Sequence, residues 1–342
     1  MLTKNVLRFR IFALVLILFV LKSEFNAQVE NVHIEYDRQS ERILVVWGGK
    51  IYKDQVVAIA TEKGIVMIDA GKAPTLTKEY RRIIEREFGR NDFIYVINTH
   101  FHFDHSSGNQ VFPEAEIIAH KKTPAMMKEW AAERQNFVDA RRTNQMIRWK
   151  SQLDNAEPET EQWYRLNDYL TTGNVMLDDY ENNFVLTLPD ITFNDKMSLA
   201  LEDITLNLYY FGEGLHTGDD ILIHCPEEKL LFSGDLFFHK WFGFAMFPRF
   251  EIERWISVLD EIFDNNEIIW IYDNHNSRMT GDFILLLKDY MKDVWKSLLK
   301  AKEEGLDFNS INKIYSYENK FKYIDNSGVD VERLKQNHES NL

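Results

Sequence analysis

Within His100-Phe101-His102-Phe103-Asp104-His105 the chain places three of its 10 histidines and a carboxylate, just beyond the apolar run Phe93–Ile97. A buried strand that ends in such a cluster delivers those side chains to a shared polar centre. A merely solvated cluster would need neither the strand before it nor the aspartate inside it. His100 and His102 alternate by two and can point the same way, offering two imidazoles to one ion. Asp104 and His105 then turn toward a neighbouring position, and Gly108 gives the backbone room to turn tightly. Cys225 is the single cysteine, so no intramolecular disulfide can form and a metal site must rest on histidine and carboxylate. Nitrogen and oxygen donors without thiolate suit zinc, with iron or manganese as substitutes.

The rest of the chain supplies a frame for such a centre. Short β-type runs at Ile43–Trp47, Gln55–Ala60 and Ile65–Ile68 precede it, the last two flanking a tight turn at Lys63-Gly64. Lys78–Phe88 has a helical pattern ending at Gly89, and Glu116–Ala119 reads as a strand. From Thr123 to Tyr169, Met126, Met127, Trp130, Phe137, Met146 and Trp149 recur at helical spacing, the mark of a stripe that packs on the fold. Strands return at Ile204–Tyr210, Ile221–Cys225, Leu230–Phe232 and Ile268–Tyr272, with helices over Ile252–Phe263 and Asp282–Ala301. Strands followed by helix, twice over, predict an α/β layered architecture with a helical insertion, about residues 123–190, between the halves.

The chain begins with Lys4, Arg8 and Arg10 ahead of the apolar run Ile11–Leu21. That run falls short of the ~20 residues a spanning helix needs, and reads as a secretory signal cut after Ala27. Export to the periplasm or the exterior is therefore expected, with no stable membrane anchor left after cleavage. Residues 28–302 then form the main domain, and 303–342 a polar C-terminal extension. A net charge of −14 argues against a nucleic-acid partner, which would call for a basic surface; a small-molecule substrate is expected instead. The sequence assigns no oligomeric state.

Thr99-His100-Phe101-His102-Phe103-Asp104-His105 resembles the signature of the metallo-β-lactamase superfamily. Further segments match in order. Gly214-Leu215-His216-Thr217-Gly218-Asp219-Asp220 resembles the family's second metal-binding segment, and Leu231-Phe232-Ser233-Gly234-Asp235 its third. Asp273-Asn274-His275-Asn276 stands where a final histidine is expected, although family members commonly have Gly where this chain has Asn274. Upstream, Val66-Met67-Ile68-Asp69-Ala70-Gly71 resembles the strand and turn that precede the motif. The resemblance implies a four-layer αββα sandwich with two metals at the sheet ends. It assigns His100, His102 and His216 to the first metal, Asp104, His105 and His275 to the second, and Asp235 to both. Asp69 would orient a histidine from behind.

The same resemblance implies hydrolysis by a metal-activated water, with Asp235 and Asp104 as the carboxylates that hold and orient it. True β-lactamases of the family usually carry Cys or Ser where this chain has Asp235, which shifts weight toward ester, thioester, lactone or related substrates. Lactonases often place Tyr where Phe238 stands. Diiron oxidoreductases of the family usually replace one motif histidine by Glu, and His102 argues against them. His120 and His224 match no motif and read as structural. His239, in the aromatic segment Phe237–Phe244, reads equally as pocket wall or core. Trp130, Trp149 and Trp163 are expected to cover one side of the site.

Overall fold

In a computed structural model the described residues are 29–237, 251–275 and 278–305. The proposed signal, Phe238, His239 and most of the C-terminal extension lie outside them. Seven strands form one sheet in the order β1 to β7: β1 Ile34–Arg38, β2 Ile43–Gly48, β3 Asp54–Ala60, β4 Ile65–Ile68, β5 Phe93–Ile97, β6 Glu116–His120 and β7 Ile191–Phe193. A second sheet of six runs β13-β12-β11-β10-β9-β8, with β8 Lys196–Ala200, β9 Thr205–Tyr210, β10 Ile221–Cys225, β11 Leu230–Gly234, β12 Trp270–Asp273 and β13 Met279–Thr280.

Three apolar clusters define four layers. Ile43, Val57, Val66 and Ile97 of the first sheet meet Leu206, Ile223 and Phe232 of the second. The other face of the first sheet, through Leu44, Val46, Val56 and Met67, packs on helix α1 Pro74–Phe88 and on helical segment residues Val138, Val175 and Tyr180. The second sheet's outer face, through Leu222, Leu231 and Ile271, packs on α6 Ile252–Asn265 and α7 Gly281–Glu303. β2, β4, β10 and β11 are buried along their whole lengths, as strands covered on both faces must be, which is why they read as continuous apolar runs. This is the αββα sandwich expected from the sequence.

Between β6 and β7 stand α3 Thr123–Ala140, α4 Met146–Asn155 and α5 Glu161–Asn182, after the short α2 Phe103–Ser106. A single π-helical stretch, Arg141–Gln145, joins α3 to α4. The inner face of α5 grips the loops beneath it. Asp168 Oδ2 accepts from the amides of Lys50, Ile51 and Tyr52 at 2.9, 2.7 and 3.1 Å. Asp179 accepts from the amide and hydroxyl of Thr75, both at 2.7 Å. It thereby caps α1, whose own N-cap, Ala73, has no side chain to do so. That borrowed cap is why α1 starts at Pro74 rather than at the predicted Lys78.

The ends that matter coincide. β4 and β5 run parallel, as do β11 and β12, so the loops leaving them emerge together. Gln55 N donates to Asn274 O at 2.9 Å and stitches the two sheets at this end.

Candidate metal centre

All seven residues singled out in the sequence converge at these strand ends. Two groups have one donor atom per residue within 4.8 Å of one another: His100, His102, His216 and Asp235, and Asp104, His105 and His275. In the first, His102 Nδ1 lies 3.0 Å from His100 Nε2 and 3.1 Å from His216 Nε2. In the second, Asp104 Oδ2 lies 3.5 Å from His275 Nε2 and 3.8 Å from His105 Nε2. Asp235 stands between them. Its Oδ2 is 3.4 Å from His216 Nε2 and 3.9 Å from His100 Nε2, while Oδ1 is 3.3 Å from Nε2 of both His105 and His275.

Each element delivers its residue for a local reason. The turn after β11 passes through Gly234 in the left-handed region, φ 51°, where a Cβ would stand 2.7 Å from Thr99 Oγ1. Asp69 also has positive φ, 58°, which Asp tolerates better than bulkier residues. Gly108 has an ordinary φ of −79°. It is needed for space, since a Cβ there would lie 2.0 Å from Ala70 O.

Behind the donors sits a layer of orienting groups. Asp69 is fully buried; Oδ2 lies 2.8 Å from His105 Nδ1, and Thr99 N donates to Oδ1 at 2.8 Å. Asn274 Nδ2 donates to the same Asp69 Oδ2 at 2.7 Å, so the residue in the family's usual glycine position has its own work here. With Nδ1–H committed to Asp69, His105 turns Nε2 into the centre, the nitrogen that becomes a donor once its proton leaves. Sequence reasoning missed Asp54, whose Oδ1 lies 3.5 Å from His275 Nδ1. Asp54 also pairs with the buried Lys72, whose Nζ donates to Thr172 of α5 at 2.8 Å. Tyr52 stacks on His275, with ring centroids 5.8 Å apart.

The electrostatics divide the two groups. Burial pushes His100 well below the ordinary imidazole range, and the neighbouring His105 and His102 add to it. Burial likewise brings His102 down to about 4, aided by His216. Burial also opposes charge on His105 and His275, yet Asp235, Asp104 and their rear carboxylates hold both well above the ordinary range. Against the same opposition, His275 and His105 keep Asp235 well below the usual carboxylate range.

The donor set fits a pair of divalent cations. It is all nitrogen and oxygen, and His105 Nε2 and Asp235 Oδ1 face each other across the buried centre at 3.3 Å, with no further hydrogen-bond partner for either atom among the described residues. His120 and His224 join neither group: His120 stacks on Tyr210 at 3.7 Å, and His224 is buried on β10. Trp130 packs on Phe103, beside Asp104, at 5.7 Å. Trp149 reaches the centre through Tyr169 and Tyr52, whereas Trp163 packs on Tyr164.

Comparison with known proteins agrees with this geometry. Over 105 residues the chain is 30% identical to the 2,4-dinitroanisole O-demethylase subunit alpha of Nocardioides sp. (strain JS1661), covering 30% of this chain and 31% of that protein. The match thus spans under a third of that relative's length. Among solved structures, a metallo-beta-lactamase from Pontibacter korlensis superposes with a TM-score of 0.52 at 16% identity, covering 76% of this chain and 99% of that one. The sec-alkylsulfatase Pisa1 from Pseudomonas sp. gives a TM-score of 0.59 at 13% identity, covering 82% of this chain and 45% of that one. At such identities the likeness is one of fold. A sequence profile of the metallo-beta-lactamase superfamily matches residues 55–269, more than half of the 342, and this chain belongs to that superfamily.

Proposed function

We propose that this chain is an exported hydrolase that holds two metal ions, zinc in the first instance, and cleaves an ester, thioester, lactone, amide or related small molecule. The observation that carries the reading is the carboxylate of Asp235. One oxygen faces His216 and His100, the other His105 and His275, the posture of a group that serves two neighbouring cations.

When bound, a pair of divalent ions lowers the pKa of a shared water and stabilises charge on the group attacked. The chain's residues supply the rest. His100 and His102 present neutral rings, and Asp69 and Asp54 fix the rings of His105 and His275 from behind. His102 and Asp104 are the partly exposed members, so an incoming substrate meets them first, and Asp104 orients the attacking water by accepting its hydrogen bond. No thiol nucleophile takes part: Cys225 is buried in the sandwich and burial raises its thiol to about 12.

The test is metal content and turnover together, on ester, thioester, lactone and chromogenic β-lactam substrates, with and without chelator. Wild type is expected to hold two equivalents of metal and to lose turnover to chelator. Asp235→Ala is expected to lose metal and turnover together; full activity in that variant refutes the proposal. Rapid β-lactam turnover would make the chain a β-lactamase proper, and iron in place of zinc would favour an oxidoreductase. The stretch shared with the O-demethylase subunit makes O-demethylation a second reading, so 2,4-dinitroanisole belongs on the panel. Export predicts a mature N-terminus at Gln28.

A further inference from the structure

We propose that Arg141 binds an oxyanion carried by the substrate, so that the enzyme selects a small anionic molecule with an apolar or aromatic body. This rests on the hydrolase reading above and narrows its substrate class.

Arg141 opens the π-helical stretch between α3 and α4, a local widening that re-aims side chains and recurs at functional sites. Its guanidinium lies 4.9 Å from the Phe137 ring centroid and 5.9 Å from that of Trp149. From these two rings, aromatic contacts lead to the metal centre by separate routes. Phe137 packs at 5.0 Å on Phe103, the chain neighbour of Asp104. Trp149 stacks on Tyr169 at 4.7 Å, Tyr169 meets the edge of Tyr52 at 4.7 Å, and Tyr52 stacks on His275 at 5.8 Å. The cation therefore sits where two aromatic arms meet, and the far ends of those arms lie at Phe103, beside Asp104, and at His275. Burial opposes its charge, and Tyr52 and Asp104 favour that charge without outweighing burial.

This cation lacks the partner its neighbours have. Arg142, the next residue, reaches Asp178 at 2.6 Å and Glu181 at 2.9 Å. Arg141 donates to Gln145 Oε1, and among the described residues no carboxylate lies within ion-pair distance of it. A half-buried guanidinium without a counter-charge is costly, and aromatic flanks compensate only in part. Packing alone would be served equally by a neutral side chain. Its planar fork matches an oxyanion, and on a chain of net charge −14 it offers an anionic molecule a local positive charge.

The experiment has two arms. In the first, metal-free wild type, Arg141→Lys and Arg141→Gln are titrated with benzoate, benzenesulfonate and neutral benzamide, after unfolding curves establish that each variant is folded. Wild type is expected to prefer the anions, Arg141→Gln to lose that preference, and Arg141→Lys to keep part of it. Benzoate against benzenesulfonate then shows whether a planar or a tetrahedral oxyanion is favoured. In the second arm, zinc-loaded proteins hydrolyse 4-acetoxybenzoate and 4-acetoxybenzamide. Arg141→Gln is expected to lose roughly tenfold to a hundredfold in kcat/KM on the anionic ester, mostly through KM, and to keep its rate on the neutral one. Equal losses on both esters, or undiminished anion binding by Arg141→Gln, overturn the proposal. If wild type hydrolyses neither ester, the hydrolase reading is what suffers, and the titration alone decides the role of Arg141.

Discussion

Asp54 Oδ1 lies 3.5 Å from Nδ1 of His275 while Asp235 Oδ1 lies 3.3 Å from the ring's other nitrogen. His275 is thus held between a carboxylate in the centre and one behind it. Burial opposes charge on Asp54, and Lys72 and His275 outweigh it. Asp54→Ala should weaken metal affinity at the second group by roughly 10- to 100-fold and leave the first group within error. Competition titration against a chromogenic chelator separates the two sites. An equal loss at both would mean that Asp54 supports the fold and not the ring.

The two groups should fill with different pH dependences. His102, at about 4, and the depressed His100 carry no proton near neutrality, so metal uptake there has little to displace. His105 and His275 are raised well above their ordinary range and must give up protons when an ion binds. Affinity at the second group should therefore rise more steeply with pH through and beyond neutrality than affinity at the first. Calorimetry in buffers of different ionisation enthalpy counts the protons released. Identical proton release for the two equivalents would contradict this division.

Asp219 bears on stability. Burial and the adjacent Asp220 raise its carboxyl to about 7, and the single Thr217 hydroxyl lies 2.6 and 2.8 Å from one oxygen of each. Below about pH 4 both folded and unfolded chains hold this proton. As pH rises toward 7 the unfolded chain releases it first, so the folded state loses stability over that window and no more above it. Asp219→Asn should stabilise the fold at pH 8 by at most about 4 kcal/mol, read as a higher melting temperature, and should have little effect at pH 4. A gain of equal size at both values would assign the effect to packing.

The centre was legible because its residues are contiguous or end strongly apolar strands. His100 to His105 fall in one short stretch, and His216, Asp235 and His275 each follow a turn that the apolar pattern marks. What escaped depends on contacts between distant segments. Asp54 and Lys72 read as ordinary polar residues at a strand start and a turn, and only the folded chain brings them together behind His275. β1 and β8, IEYDR and KMSLA, are mostly exposed edge strands without the apolar run that betrays a strand. The π-helical residues Arg141 to Gln145 carry no compositional mark. They sit inside a pattern correctly read as helical, so Arg141's position could not be told from any exposed arginine. Phe238 and His239 lie outside the described residues.

Three backbone amides of the loop before β3 end on one carboxylate, Asp168, belonging to a helix far along the chain. That loop carries Tyr52 and leads into Asp54, so the floor beneath His275 takes its shape from α5. A shortened version of this protein, cut back to the strands and helices common to compact relatives, would lose more than an outer layer. It would have to find a new way to hold that floor, and the helical segment and the donor residues are therefore bound to change together over evolutionary time.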